Sequence, residues 1–247
     1  MSQRLKLTVA YDGSPFAGWQ SQTHRKTIQD ELERALHRIS GVRLRVHGAG
    51  RTDTGVHALA QCAHVDLPDR RLEAARWTKA LNAVLPPTIR VSTCRYVPSN
   101  FHARFSAKGK TYRYRIWAGP ILPPLELERV WHITAPLDRD LLGAAGKRFV
   151  GRHDFAAFAA NRGKDEEDTV RTIWSLRVRN RGSAISIEVS GNGFLYKMVR
   201  LMVGAMMRAA LNKTHLAEID ANLGSGHRMG ARFAAPAQGL YLIKVWY

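Results

Sequence analysis

The feature that most limits what this chain can become is a polar, glycine-rich connection between two apolar, strand-like runs. Leu44 and Val46 lead into His47-Gly48-Ala49-Gly50-Arg51-Thr52-Asp53-Thr54-Gly55-Val56-His57-Ala58, and Leu59 to Leu67 carry the chain back. Gly48, Gly50 and Gly55 can take backbone conformations closed to other residues and let a ligand approach the chain. A connection this polar between two apolar segments is either a plain surface turn or a site. Arg51 and Asp53 stand two residues apart inside the glycine frame, which favours reading them as one charged unit.

Composition narrows what such a site would meet. The 247 residues suffice for one large domain or two small ones with a real core, and a hydrophobic content of 45% argues against disorder. The formal charge is +18, from 38 Lys and Arg against 20 Asp and Glu. An excess of that size attracts polyanions, and nucleic acid leads because each neutralised phosphate releases counterions. An anionic membrane is the competing partner, but no run approaches the ~18 apolar residues of a spanning helix. Met1-Ser2-Gln3-Arg4 passes straight into a strand pattern, so no signal peptide is expected. Cys62 and Cys94 are too few for a disulfide scaffold or a zinc site, and both lie in apolar runs as buried thiols would. A reducing, cytoplasmic setting fits.

Along the chain, Leu5, Leu7 and Val9 alternate with Lys6 and Thr8 as in a half-buried strand. Phe16 and Trp19 sit in the turn-rich segment 11–20, placed either to stack on bases or to pack over the core edge. Thr27-Ile28-Gln29-Asp30 resembles a capping box, Gly41 closes the helix that follows, and His24, Arg25 and Lys26 put positive charge ahead of it. After the glycine-rich loop, Leu59 to Leu67 alternates, with His64 and Asp66 on a polar face. A second helix spans Leu72 to Val84 with Leu72, Ala75, Ala80, Leu81 and Val84 on one side, and a strand follows at Ile89 to Arg95. The pattern is α+β, with antiparallel pairing favoured.

In Thr111-Tyr112-Arg113-Tyr114-Arg115-Ile116-Trp117, the tyrosines and Ile116 share one face and the arginines the other. That is either an RNA surface or core tyrosines with solvated arginines. Gly119 to Pro124 reads as a proline-bearing linker and the best candidate boundary within the chain, Leu137 to Val150 as a helix, and 161–168 as a solvated loop. Trp174, Leu176 and Val178 pair with Ile185, Ile187 and Val189 in a hairpin around residues 180–183. Leu201, Met202, Ala205, Met206 and Ala209 give a helix whose methionines face the core, a short helix covers Thr214 to Leu223, and Leu240 to Val245 is a last strand.

For chemistry, none of the ten histidines falls in a metal-binding spacing with a carboxylate, no phosphate loop is present, and no serine or cysteine sits in a nucleophile elbow. No metal and no cofactor is expected. Asp53 remains. A carboxylate can act as a covalent nucleophile at a sugar carbon or an activated base carbon. To do so in a partly dry pocket it must stay ionised, and a nearby guanidinium, from Arg51 or Arg200, opposes the effect of burial. The plain alternative is a surface Arg–Asp pair, worth little energetically.

These residues resemble a known family. Gly50-Arg51-Thr52-Asp53-Thr54-Gly55-Val56-His57-Ala58 is similar to the signature of the tRNA pseudouridine synthase A family, in which the aspartate is the nucleophile. Tyr11-Asp12-Gly13 with Gly18-Trp19-Gln20, Asn82-Ala83 with Leu85-Pro86, Phe101 to Ala107, Tyr112-Arg113-Tyr114, Met198-Val199-Arg200 and Gly239 to Leu242 follow in matching order. Thr54 departs from the alanine usual there, next to the nucleophile. The resemblance implies isomerisation of uridine to pseudouridine at positions 38, 39 and 40 of the tRNA anticodon stem-loop, without cofactor or metal. It implies Asp53 as nucleophile, Tyr112 stacked on the target base, Arg51 holding the flipped nucleotide, and Arg200 paired with Asp53. The implied architecture is two α/β halves, 1–104 with the catalytic loop and 105–247 completing a cleft, around a central antiparallel sheet in a cytoplasmic homodimer. The rival from another class is a non-catalytic basic RNA-binding protein. It explains the charge but gives no reason for an aspartate inside a basic loop. A glycosidase or phosphotransferase using Asp53 lacks a partnered second carboxylate.

Overall fold

A computed structural model describes residues 3–23, 26–68, 72–160, 168–225 and 233–247. His24, Arg25 and residues 161–167 of the expected polar loop lie outside the described residues. In chain order the elements are β1 (Gln3–Tyr11), α1 (Ile28–Ser40), β2 (His47–Gly48), β3 (His57–Leu67), α2 (Ala74–Val84) and β4 (Ile89–Val97). Then come β5 (Gly109–Ala118), β6 (Trp131–Ile133), α3 (Arg139–Lys147), β7 (Gly151–Asp154), β8 (Val170–Arg181) and β9 (Ala184–Gly191). The chain ends with α4 (Met198–Ala210), α5 (Leu216–Ser225) and β10 (Leu240–Trp246). They form two compact units, Met1–Lys108 with Tyr241–Tyr247, and Gly109–Leu240. The fold is α+β with mostly antiparallel sheet in each unit. No described helix is long and apolar enough to cross a membrane.

The first unit orders its strands β4-β1-β3-β10, with β2 on β3. Leu5, Leu7 and Val9 are fully buried while Lys6 and Thr8 are half-exposed, as their alternation requires. Two neighbours share one edge of β3. β10 runs parallel to its start, Tyr241 against His57 and Leu242 against Ala58, and β2 runs antiparallel near its end, His47 against His64. The glycine-rich connection is thus the turn between two paired strands.

Helix α1 starts as its sequence indicates. Thr27 Oγ1 accepts the Asp30 N–H at 3.2 Å, and Gly41, in the left-handed region, donates its N–H to His37. In α2 the expected face is corrected. Trp77 and Leu81, one turn apart, are the buried pair, whereas Ala75 is exposed and Leu72 precedes the helix. The alternation expected along β3 also fails: Leu59 is exposed, and Cys62 and His64 are buried. His64 is only 1% exposed because the segment around Ala103 closes over it, and the Ala103 N–H donates to His64 Nδ1 at 3.1 Å.

The second unit orders its strands β5-β9-β8-β7, with β6 parallel on β5. Gly119 to Pro124 lies inside this unit and carries the chain from β5 back to β6. On β5, Tyr112, Tyr114 and Ile116 are buried with Ile185, Ile187 and Val189 of β9, and Arg113 and Arg115 stand on the other face. The methionine stripe of α4 is core, with Met198, Met202, Met206 and Met207 all at most 1% exposed. Asp138 caps α3 by accepting the N–H groups of Asp140 and Leu141.

Candidate active site

The residues that fix the Asp53 loop come from segment 11–20. Trp19 donates its N–H to Thr52 O at 3.0 Å, and the N–H groups of Ile28 and Gln29, at the start of α1, donate to Gly18 O and Trp19 O. Segment 18–19 therefore satisfies two amides that the helix cannot use itself and grips the loop with the same backbone. Gly18 must be glycine here. Its φ is +92°, and a Cβ would lie 2.6 Å from Thr52 O and 3.1 Å from the Asp53 carbonyl carbon. The Tyr11 hydroxyl meets Thr52 Oγ1 at 2.8 Å in a buried pair. Burial pushes the Tyr11 phenol well above its ordinary range, so it stays protonated.

Asp53 heads a tight turn. The Val56 N–H donates to Asp53 O at 3.1 Å, and Gly55 has φ +77°, as the third position of a type II turn demands. On the β2 side, Ala49 N–H donates to Cys62 O, and the buried Gln61 side chain donates to Gly50 O at 2.8 Å. Beyond the turn, His57 is buried and stacks on Tyr241 with ring centroids 4.6 Å apart. Its Nδ1 accepts the Gly13 N–H at 3.1 Å and lies 3.2 Å from Asp12 Oδ1. Asp12 Oδ1 in turn accepts from the Ser14 amide and hydroxyl.

The backbone around Asp53 is therefore held from both ends while its side chain is half-buried. Arg51 is exposed, and its Nε donates to Gln20 Oε1 at 3.1 Å. Gln20 donates to Gln29, Gln29 to Glu33, and Glu33 accepts the Val46 N–H ahead of β2. This chain of side chains ties α1 to both sides of the loop. Phe16 and Trp19, for which base stacking was one reading, are each 2% exposed. They pack in the core, and the Trp19 ring lies where a Cβ on Gly48 would be.

Two further candidates belong to the second unit. Tyr112 is buried on β5 and meets Phe194 edge-to-face at 5.1 Å. Arg200, in the first turn of α4, is anchored through its Nε to Ala235 O at 2.7 Å, and the Ala235 N–H returns to Arg200 O at 2.9 Å. Within the units, then, Asp53 and Arg51 share one loop, and Tyr112 on β5 and Arg200 on α4 both belong to the other unit. Composition and spacing passed over Tyr11, Gly18 and Gln20 as parts of the site. The signal was present in the glycines and polar residues of segment 11–20. Among the described residues no group of three His, Cys, Asp or Glu side chains is placed to hold a metal ion.

Comparison with known proteins gives a consistent answer. The sequence model of the family described as tRNA pseudouridine synthase matches residues 7–106 and 145–247. The chain is 47% identical to a tRNA pseudouridine synthase A of Akkermansia muciniphila, covering 99% of this chain and 95% of that one. It is 43% identical to the tRNA pseudouridine synthase A of Methylacidiphilum infernorum, over 98% and 94%. With the protein of the same name from Ruminiclostridium cellulolyticum it shares 40% identity, over 99% of this chain and all of that one.

Proposed function

The chain belongs to the tRNA pseudouridine synthase family, and from that premise we propose that it forms pseudouridine at positions 38, 39 and 40 of the anticodon stem-loop, with Asp53 as nucleophile. As a member of that family it is an isomerase that modifies tRNA. The finer reading rests on one observation above the others. The single acid of a glycine-rich loop is held through its backbone by segment 11–20, with its side chain left half-buried. A protein that only bound phosphates would gain nothing from a fixed carboxylate there, since it repels them.

The chemistry is atom-balanced without a redox partner. Asp53 attacks the nucleoside, the N1–C1′ bond breaks, and the uracil turns to bring C5 to C1′. A C5–C1′ bond then forms, the bond to Asp53 breaks with its electron pair returning to the carboxylate, C5 loses its proton, and N1 gains one. An in-stack uracil can neither turn nor be approached, so the nucleotide must be flipped out of the stack. In this scheme Tyr112 stacks on the base and serves the C5 proton, and Arg51 holds the extruded nucleotide. Arg200 is the cation assigned to pair with the Asp53 carboxylate. The working form is a cytoplasmic homodimer.

Pseudouridine mapping of tRNA from cells lacking the protein, with and without the plasmid-borne gene, tests the assignment. Loss of pseudouridine at positions 38 to 40, restored by the gene, is expected. Unchanged modification at all three positions would favour the rival reading, a basic RNA-binding protein without catalysis.

A further inference from the structure

The outer face of the second unit's sheet carries a lattice of arginines that the reaction does not use. Arg177, Arg179 and Arg181 on β8 stand opposite Glu188, Ser186 and Ala184 on β9. Those three stand opposite Arg113, Arg115 and Trp117 on β5. Residues directly opposite in an antiparallel ladder share a face, so these positions form one surface. Its reverse is the packed side, where Leu176 of β8 meets α3 at Gly146 and Tyr112, Tyr114, Ile187 and Val189 are buried.

Two of the five arginines meet carboxylates within the unit. Arg113 bonds Glu188 at 3.0 Å, and Arg115 bonds Glu126 at 2.7 Å. The other three are exposed, and the ladder sets Ser186 and Ala184, not acids, opposite Arg179 and Arg181. Like charges at alternate positions of one strand repel, and exposed side chains give little packing energy in return. Successive arginines stand about 7 Å apart along the strand, a spacing that lets neighbouring guanidinium forks engage neighbouring phosphates of one backbone. Arg139, which donates to Gly182 O at the hairpin turn, extends the positive edge.

We infer that this face binds the phosphate backbone of the substrate tRNA at a segment outside the stem-loop being modified. Tyr112 points to the opposite side of the same strand from Arg113 and Arg115, so RNA lying on this face is not the reacting nucleotide. The inference rests on the tRNA reading above and names the part of that substrate the face would take.

The full-length protein with Arg177→Ala, Arg179→Ala and Arg181→Ala together tests it, beside the triple Arg→Lys variant. Binding of intact tRNA and of the isolated anticodon stem-loop is measured across a salt series. For intact tRNA the triple alanine variant should bind about tenfold to a hundredfold more weakly, with a salt slope shallower by about 0.9 per lost phosphate contact. The lysine variant should recover most of that affinity, and stem-loop binding should change less than twofold. Unchanged affinity and slope for intact tRNA would overturn the inference, and so would an equal loss on both RNAs. Loss of binding to anionic vesicles with tRNA binding intact would assign the face to membranes and also overturn it. If the wild-type protein forms no pseudouridine, the catalytic reading fails while these binding measurements still decide the face.

Discussion

Gly18→Ala is the substitution that probes the loop most sharply, because it adds one methyl group directly beneath Asp53. Two costs arise. The left-handed φ of +92° costs an alanine about 1 kcal/mol. The new Cβ would sit 2.6 Å from Thr52 O, where ordinary contact begins near 3.4 Å, so one of the two segments must retreat by about 0.8 Å. Gly18 is held by the start of α1 and Asp53 by its own turn, so the loop gives way. A displacement approaching 1 Å at a reacting group costs on the order of 10²-fold in rate. Gly41→Ala is the matched control, since its φ is +74° but nothing lies within 4 Å of its Cβ. Urea unfolding should show both variants destabilised by about 1 kcal/mol from φ alone, with Gly18→Ala losing somewhat more. Single-turnover pseudouridine formation should fall about 100-fold for Gly18→Ala and stay near wild type for Gly41→Ala, with tRNA affinity changed little in both. A folded Gly18→Ala protein that reacts at the wild-type rate would refute the idea that this contact sets the position of Asp53.

Three further outcomes follow from the same geometry. Tyr11→Phe leaves Thr52 Oγ1 buried without its partner and should cost about 1–2 kcal/mol in urea unfolding, with a lower catalytic rate and unchanged tRNA affinity. Burial, then the charges of Arg4, His102 and His47, push the His64 pKa down from 6.5 to about 4. The folded state therefore resists a proton that the unfolded chain accepts below pH 6.5, and stability is lost as pH falls through that window. Wild-type protein should lose about 2 kcal/mol from this source between pH 7.5 and pH 5, and His64→Gln should flatten the difference. Tyr112→Phe keeps the ring that packs on Phe194 and removes only the hydroxyl, so tRNA binding should persist while product formation drops, and full activity would limit Tyr112 to stacking.

Local chemistry made much of this fold legible. Thr27 and Gly41 bound α1 because capping depends on residues a turn away. The methionines of α4 and the alternation along β5 report burial directly. What escaped the sequence depends on distant segments. His64 is buried only because the chain near Ala103 closes over it, and Trp77 replaces Ala75 as the inward residue of α2 through its packing rather than its spacing. β10 joins β3 in parallel across nearly the whole length of the chain, a pairing no local pattern encodes. In the site, Asp53 and Arg51 stood out because charge inside a glycine-rich loop is unusual. The parts played by Tyr11, Gly18 and Gln20 became visible only when the fold set segment 11–20 against that loop.

Asp53→Asn tests the central claim most directly, since it removes one negative charge and keeps the shape of the side chain. Single-turnover pseudouridine formation is measured with saturating protein and tRNA carrying uridine at positions 38 to 40, alongside tRNA affinity. Product should fall to background, with affinity equal to wild type or tighter. Product at more than a small fraction of the wild-type rate from Asp53→Asn would contradict it.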